Sequence, residues 1–480
     1  MTDSTTPART AVVLGGSHSG MLAARALAGV ADRVVVVERD SLPAAPGPRK
    51  GLPQARHAHM LWSGGVRAME ELLPGITGTL REAGANRRPV TTDVVALGTR
   101  GWFRRWDESH HVILAGRDLL DATVRARVLA DERVELVERT EAVGLTGTGG
   151  AVTGVRVRPC GGPERILAAD LVVDASGRGS QAAHWLTGLG LPPAERREVD
   201  AGLAYASRLY RAPAAARDDF PVVNIQPDRR EGGPGRAGFL LPIEEGRWIV
   251  TLCGTRDGRP SPENDDFVRF AREDLRHPLI GDLLEQAEPL SDVSFTRTTV
   301  NRRHFYERMP AWPCGFTVLG DALAAFNPVY GHGLAVAAQS ALLLRDTVER
   351  HGWGARGLSR RIQKAVARPV GAAWDLAIGQ DVFYPGATEQ GPTLRDRLVT
   401  AYVDRLMHTA TGNGRIARRV TDVTSLERGA GVLLTPSVLL AAAVGPLKPG
   451  LSGPPLTAGE RKAAGLVQGP ATRGDPSEAP

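Results

Sequence analysis

The sequence predicts an α/β protein that has a Rossmann-like dinucleotide-binding domain, an antiparallel-sheet domain and C-terminal helices. Near the start, an apolar strand (Ala11–Leu14) enters a Gly-rich turn, a helical pattern follows, and a second apolar strand ends at Glu38. From about residue 202 to 299, strand-like pieces follow one another with short loops, which is typical of an antiparallel sheet. From residue 355 to about 427 the pattern is helical.

The Gly-rich turn has the spacing of a dinucleotide-binding motif. It consists of Gly15, Gly16, Ser17, His18, Ser19 and Gly20, so that a serine stands at the second glycine position of the G-x-G-x-x-G pattern. Glycines let the backbone approach a pyrophosphate, the helix N-terminus faces its charge, and an acid about 20 residues further on binds a ribose hydroxyl. Glu38 is that acid. An ordinary buried strand–turn–helix unit is the alternative.

Composition excludes several function classes. The chain has 480 residues, 42% hydrophobic content and a net charge of +6, but its basic residues are nearly all arginines scattered among acids, so we expect no nucleic-acid binding. No run of about 18 apolar residues and no apolar N-terminal segment occurs, which predicts a cytoplasmic protein without a transmembrane segment. Cys160, Cys253 and Cys314 are far apart, and His57 and His59 lack a third ligand, so we expect no metal site.

A Pro-rich connection follows the second strand and carries basic residues. Arg39, Arg49, Lys50 and Arg56 lie just downstream of the predicted nucleotide-binding strand, where they can meet a phosphate or the edge of a flavin. A solvated loop is the alternative. Residues 85–115 alternate apolar and polar side chains and are expected to contribute strands to the substrate side.

Two later segments repeat the pattern of the start. A buried strand ends at Asp174 before a Gly-rich turn that runs to Ser180. Another strand ends at Gly320 and Asp321, and a turn from Pro328 to Gly333 opens a long apolar helix. The carboxyl ends of parallel strands meet at one edge of a sheet, so these turns are expected to lie beside one bound cofactor.

These boundaries predict four regions. The dinucleotide-binding domain is discontinuous and comprises residues 1–185 and 310–350, the antiparallel-sheet substrate domain 186–309, and the helical region 351–447. Residues 448–480 are rich in Pro, Gly and charge and are expected to be largely disordered. Within the helical region, Val432 to Leu447 is apolar but too short to span a bilayer. We expect it to be packed, with attachment to a membrane surface as the alternative.

The three turns together resemble the signatures of the class A, single-component FAD monooxygenases related to aromatic hydroxylases. Within that group, the segments from Arg49 to Gly65, Asn301 to Arg303 and Phe326 to Gly333 resemble the flavin epoxidases of polyether ionophore biosynthesis. The resemblance implies FAD, O2, and electrons from NAD(P)H or from reduced flavin of a partner reductase. It implies a linear polyene polyketide, free or on an acyl carrier protein, whose alkenes are epoxidised through an FAD C4a-hydroperoxide before the ether rings form.

The resemblance also assigns residues. Gly15, Gly16, Ser17, Ser19 and Gly20 would hold the pyrophosphate, Glu38 the adenosine ribose, Arg117 the cofactor chain, and Asp321 the ribityl or pyrophosphate region. Asp174 would lie beside the cofactor, and Pro328 and the backbone of Gly331, His332, Gly333 and Leu334 would lie near the flavin ring. Asp174-Ala-Ser-Gly differs from the Asp-Gly pair of aromatic hydroxylases, which leaves the docking of NAD(P)H open. No catalytic side chain is assigned, because alkene epoxidation removes no proton from the substrate, and an open apolar cleft is expected over the ring.

Four alternatives remain. An aromatic hydroxylase of the same fold is the first, and a flavin halogenase is disfavoured because the sequence has no Trp-x-Trp-x-Ile-Pro motif. A hydrolase is suggested by Gly16-Ser-His18-Ser-Gly20, but a nucleophile elbow has Ser where His18 stands. A non-catalytic flavin-binding module is the last.

Overall fold

The computed structural model describes residues 8–466 except 218, 229, 231 and 298. It confirms the predicted fold class, a mixed α/β structure with a parallel sheet, antiparallel sheets and C-terminal helices. The parts of the predicted first domain and tail at residues 1–7 and 467–480 lie outside the described residues.

The strands of the described chain are β1 (Thr10–Leu14), β2 (Arg33–Val37), β3 (Met60–Trp62), β4 (Asn86–Pro89), β5 (Val94–Gly98), β6 (Gly101–Trp102), β7 (His111–Leu114), β8 (Val134–Val137), β9 (Thr140–Gly147), β10 (Val152–Pro159), β11 (Arg165–Ala168), β12 (Leu171–Asp174), β13 (Arg196–Val199), β14 (Leu203–Arg211), β15 (Val222–Ile225), β16 (Arg236–Ile243), β17 (Arg247–Thr255), β18 (Glu288–Pro289), β19 (Ser294–Thr296), β20 (Asn301–His304), β21 (Phe316–Val318) and β22 (Ala324–Ala325). The helices are α1 (His18–Ala28), α2 (Ser63–Leu72), α3 (Ile76–Glu82), α4 (Arg117–Leu129), α5 (Ala182–Gly188), α6 (Asn264–Arg269), α7 (Leu279–Leu284), α8 (Gly333–His351), α9 (Leu358–Asp381), α10 (Leu394–Gly412), α11 (Gly414–Thr424), α12 (Pro436–Val444) and α13 (Ala458–Ala463).

A five-stranded parallel sheet forms the centre of the first domain, in the order β21-β12-β1-β2-β8. Its strands are continuous apolar runs, such as Val34–Val37, because helices cover the sheet and bury them. All four strand pairs are parallel, so β1, β2, β12 and β21 end at the same edge. The turns singled out in the sequence follow these strand ends.

The second domain is built on an eight-stranded sheet in the order β18-β14-β17-β16-β15-β5-β6, with β19 beside β14. Segment 85–115 supplies β5 and β6, and β5 runs parallel to β15. One face packs on α6 and α7 through an aromatic core that includes Trp248 and Phe267. The other face carries Tyr205, and Val329 of the third turn packs against it. The sheet is therefore in contact with the third predicted cofactor turn.

Helices α9 to α12 form the C-terminal region. Trp374 of α9 is 2% exposed and packs into the core of the first domain. Among the described residues, no helix is both long enough and apolar enough to cross a membrane.

The prediction of a disordered tail is wrong for residues 448–466. Leu451 pairs with Trp102, and α13 begins with a capping box in which Thr457 and Glu460 bind each other's backbone N–H groups. Leu456 is buried in the second-domain core, and Glu460 lies 2.7 Å from Arg105 Nη1. This local cap and the apolar burial outweigh the effect of the Pro- and Gly-rich composition.

Removing this segment should destabilise the second domain. We expect a chain ending at Pro449 to lose about 2–4 kcal/mol of unfolding free energy, because it loses buried Leu456 and the ion pair between Glu460 and Arg105. A chain ending at Leu466 is the matched control and should unfold like the full chain in urea. Equal midpoints for both truncations would contradict the assignment.

Candidate functional site

Three turns meet at the carboxyl edge of the parallel sheet. We call Gly15 to Gly20 the first turn, Asp174 to Ser180 the second turn, and Gly320 to Gly333 the third turn. A Cβ added to Gly15 would lie 2.7 Å from the carbonyl oxygen of Ala175, which places the first turn against the second. A Cβ added to Gly320, whose φ is +58°, would lie 2.4 Å from Ser19 Oγ, which places the first turn against the third. The structure thus brings segments separated by about 300 residues into one site.

Glu38 and Arg49 tie the first turn to the loop that follows β2. Glu38 accepts hydrogen bonds from the Gly16 N–H (2.7 Å) and the Asp40 N–H (2.9 Å). Arg49 Nη2 lies 3.0 Å from Glu38 Oε2, and Arg49 Nη1 donates to Ser17 Oγ at 2.9 Å. The Arg49 side chain is 5% exposed, so this part of the Pro-rich connection folds back over the turn. Ser17, which stands where the motif usually has glycine, therefore accepts a hydrogen bond from Arg49.

The other basic residues predicted near the cofactor are at the surface. Arg39, Lys50 and Arg56 are exposed, whereas Arg49 is held inside the site. Contact of these three residues with a cofactor stays a prediction.

Asp174 shapes its own turn. One carboxylate oxygen accepts hydrogen bonds from the N–H and the hydroxyl of Ser176 (2.9 and 2.6 Å), and the other accepts from Ser180 Oγ (2.6 Å). The side chain is fully buried, and burial raises the pKa of the carboxyl group while these hydrogen bonds oppose the rise. The carboxylate therefore faces inward to its own turn, and the place of Asp174 beside a cofactor stays a prediction.

Asp321 is accessible and has a cationic neighbour that the sequence did not indicate. Its side chain is 38% exposed, and Arg178 Nε lies 3.7 Å from Oδ2. Arg178 is itself held by the carbonyl oxygens of Val300 (3.1 Å) and Phe326 (2.8 Å). Arg178 therefore links the second turn to the third.

The turn that opens α8 is covered by β3. A Cβ added to Gly331 would lie 3.1 Å from Met60 Cγ and 3.3 Å from Trp62 Nε1. His332 lies 2.9 Å from the Thr424 carbonyl oxygen through Nε2, so Nε2 carries the proton and Nδ1 has a free lone pair. Burial lowers the pKa of His332 to about 4, which keeps the ring neutral.

A buried ion pair between Arg117 and Asp121 lies at the start of α4, close to His18 of the first turn. Arg117 Nε donates to Asp121 Oδ1 at 2.8 Å, one helical turn further on. Burial, and next the charge of Arg117, lower the pKa of His18 to about 4. The backbone of Leu334, which follows the third turn, lies close enough to His18 to raise its pKa slightly against these effects. His18 of the first turn is therefore next to the end of the third turn. The sequence contained the Arg117–Asp121 spacing, but nothing in it paired these residues with His18.

One face of the eight-stranded sheet carries a row of hydrogen-bonded polar side chains that the sequence did not predict. His57 Nδ1 lies 2.8 Å from Ser207 Oγ, Ser207 Oγ lies 2.6 Å from Thr251 Oγ1, and the Ala58 N–H donates to Thr251 Oγ1 at 3.0 Å. His57, Ser207 and Thr251 are buried, and burial lowers the pKa of His57 to about 4. These polar side chains lie between the apolar pairs Tyr205–Cys253 and Leu209–Ile249 of the same strands, and an open apolar cleft over a bound ring stays a prediction.

A buried carboxylate, Asp381, joins β20 to the third turn. Asp381 accepts hydrogen bonds from Asn301 Nδ2 (2.7 Å), Asn327 Nδ2 (2.9 Å) and the Tyr330 hydroxyl (2.6 Å). The Tyr205 hydroxyl donates to Asn327 Oδ1. Burial raises the pKa of both tyrosines well above the usual value, so their phenols stay protonated.

One group in the described residues has metal-binding residue types. His110 Nε2 lies 3.1 Å from Asp422 Oδ1 and 3.7 Å from Glu427 Oε2. Arg419 and Arg67 pair with the two carboxylates at 3.0 and 2.8 Å. Because these arginines already balance the charge, we assign the group as an ion-pair cluster that joins the C-terminal helices to the segment before β7.

Buried polar atoms test whether FAD fits here. Several buried side-chain atoms without a hydrogen-bond partner among the described residues lie at the turns or next to them: both ring nitrogens of His18, Arg49 Nε, Trp62 Nε1, Ser63 Oγ, Asp121 Oδ2 and His332 Nδ1. A buried polar atom normally has a partner. FAD, with its phosphates, hydroxyls and ring carbonyls, fits such a set, and the three turns form a cradle for it.

The fold is that of FAD-dependent halogenases and monooxygenases. A mutant of the flavin-dependent brominase Bmp2 matches with a TM-score of 0.63 and 15% identity over 90% of this chain and 97% of that chain. The myxobacterial chondrochloren halogenase CndH, an FAD-dependent halogenase, matches with a TM-score of 0.59 and 17% identity over 87% and 97%. PqsL from Pseudomonas aeruginosa, a probable FAD-dependent monooxygenase, matches with a TM-score of 0.55 and 18% identity over 89% and 100%.

Sequence similarity identifies the family. The chain is 32% identical over 395 residues to protein Rv3254 of Mycobacterium tuberculosis (strain ATCC 25618 / H37Rv), which covers 80% of this chain and 82% of that protein. It therefore belongs to the same family as protein Rv3254. No family model matches the chain.

Replacing Asp321 should weaken FAD binding. Asp321→Ala removes an accessible acceptor for a cofactor hydroxyl, so we expect about tenfold weaker FAD binding. The measurement is flavin absorbance retained after gel filtration, with Asp346→Ala on α8 as the control. Full yellow colour in Asp321→Ala would contradict the assignment.

The buried histidines should make stability depend on pH. His18, His57 and His332 have pKa values lowered from 6.5 to about 4, so between these values the unfolded chain binds more protons than the folded one. The free energy of unfolding should therefore fall from pH 7 to pH 5, by up to about 1.4 kcal/mol per pH unit for each histidine.

Urea unfolding at the two pH values measures this loss, with His332→Gln as the comparison. The variant removes one of the three groups, so its loss between pH 7 and pH 5 should be smaller. An equal loss in both chains would show that His332 does not stay neutral when buried.

Proposed function

We propose that the protein is an FAD-dependent monooxygenase that epoxidises one or more alkenes of a linear polyene polyketide before polyether rings form. One observation carries the proposal. The segments that resemble the flavin epoxidases touch one another around the third turn. Met60 and Trp62 of the first segment lie over Gly331, and Asn301 of the second donates to Asp381, the partner of Asn327.

In this proposal the chain holds FAD along the edge of the parallel sheet. The backbone from Gly15 to Gly20 binds the pyrophosphate at the N-terminus of α1, and Glu38, oriented by Arg49, binds the ribose. Asp321 binds a cofactor hydroxyl, and the first N–H groups of α8 face the flavin ring. When bound, reduced FAD would activate O2 so that one oxygen atom is transferred to the substrate.

The protein's own groups favour an alkene over a phenol as the substrate. His57 is a weak base because of its low pKa, and the raised pKa of Tyr205 keeps its phenol protonated. A phenol becomes more reactive when a base removes its proton, whereas an alkene loses none. In this proposal the residues beside the third turn position the substrate and exclude water, and Met60 and Trp62, which lie next to Gly331, take part in both tasks.

The proposal also covers the source of the electrons, the form in which the substrate arrives, and the location of the protein in the cell. Electrons come from NAD(P)H or from the reduced flavin of a partner reductase, and the polyketide is free or bound to an acyl carrier protein. A cytoplasmic location is part of the same proposal.

Product analysis tests the reaction. The purified protein, supplied with FAD, a reductant and isotope-labelled dioxygen, should convert a polyene ester to epoxides that carry the label. Gly331→Val is the matched variant. Gly331 has φ +65°, and a side chain there would press on Met60, so epoxidation should fall by more than about tenfold.

Exclusive hydroxylation of a phenol would overturn the proposal in favour of an aromatic hydroxylase of the same fold. Flavin binding without reductant-dependent oxygen consumption would indicate a non-catalytic module. Unchanged epoxidation by Gly331→Val would show that this backbone does not lie at the flavin ring.

A further inference from the structure

The C-terminal region carries a bare apolar surface around α12. We define the α12 surface as Leu434, Leu439, Leu440, Val444 and Leu447, whose exposed fractions lie between 45% and 70%. Val438 and Ala442, on the other side of the helix, are buried against α10 and α11. Several large aliphatic side chains exposed within so short a segment indicate an interaction surface.

Cations flank this surface at both ends. No acidic residue occurs between Glu427 and Glu460 in the sequence, whereas Arg428 precedes the surface and Lys448 follows it. Two further arginines hold the chain at its second end. Arg405 donates to the carbonyl oxygens of Ala442 and Ala443 (2.5 and 2.8 Å), and Arg104 donates to that of Pro449 (2.8 Å).

We propose that the α12 surface docks on an anionic lipid bilayer, with α12 lying in the plane of the interface. The aliphatic side chains enter the boundary between headgroups and acyl chains, while Lys448 and the flanking arginines face lipid phosphates. The helix has nine residues, and crossing a bilayer takes about 20, so the helix lies on the membrane without crossing it.

Two other occupants fit the surface less well. A second copy related by a twofold axis would bring Lys448 and its neighbouring arginines against the same cations. Residues 1–7 and 467–480 are poor candidates as well, because Met1 and Val467 are the only large aliphatic side chains of these two segments. An anionic lipid surface satisfies both the apolar and the charged parts of the site.

This inference does not rest on the proposed function, and vesicle flotation of the full-length chain tests it. The protein should float with phosphatidylcholine vesicles that contain phosphatidylglycerol and much less with phosphatidylcholine alone. Leu440→Ser/Val444→Ser should lower the bound fraction at least about tenfold. Ile166→Ser is the matched control, since Ile166 is 63% exposed on β11, and it should float like the unchanged chain.

Charge and fold are checked separately. Lys448→Glu should weaken binding to the anionic vesicles only. The thermal midpoint of each variant should equal that of the unchanged chain, because the replaced side chains are exposed. If Leu440→Ser/Val444→Ser unfolds, Leu447→Ser, which lies beyond the helix end and is 70% exposed, replaces it with the same expected loss.

Three outcomes would overturn the inference. The first is that the unchanged chain does not float with anionic vesicles. The second is equal flotation of the Leu440→Ser/Val444→Ser variant and the control. The third is a dimer in light scattering that the double substitution dissociates while no vesicle binding is seen, which would assign the surface to a second copy.

Discussion

The site depends on one close backbone contact, between α1 and the turn before it. A Cβ added to Gly20 would lie 1.7 Å from the carbonyl oxygen of Gly15, so no side chain fits there. This contact sets where the N-terminus of α1 begins. Ser19, next to Gly20, then meets Gly320 of the third turn, and Gly15 meets the second turn at Ala175. A shift of α1 would therefore move all three turns, which makes them one packed unit and not three separate loops.

The strands and turns of this unit were predictable because their signals are local. An apolar run that stops at glycine, followed by a helical pattern, occurs within about 30 residues, and β1, α1 and β2 form where it predicted them. The polar groups around the unit were not predictable in the same way. Ser207 lies 150 positions from His57, and Asp381 lies 54 positions from Asn327. No periodicity connects such pairs, since only the folded sheet and α9 bring them together.

At two places the sequence forms short-range side-chain contacts that composition and strand pattern alone do not indicate. Thr457 and Glu460 have capping-box spacing and start α13, yet the surrounding proline and glycine indicated disorder. Asp174 ends a strand before a Gly-rich turn, as a cofactor-binding acid would, but Ser176 and Ser180 are close enough in sequence to satisfy both of its oxygens. In both cases short side chains that bind nearby backbone or side-chain groups decided the outcome.

The C-terminal helices have two separable contacts with their surroundings. The end of α11 and the residues after it contact the third turn and the helices α2 and α8 beside it. The Thr424 carbonyl oxygen binds His332, that of Ser425 accepts the Gly64 N–H, and that of Leu426 accepts Gln339 Nε2. Helix α12 instead packs on α10 and α11 and leaves its aliphatic side chains exposed. Because different residues make the two contacts, a change on the exposed face of α12 leaves the contacts of His332 intact. The residues that hold the third turn in place are therefore different from those that form the exposed aliphatic surface of α12.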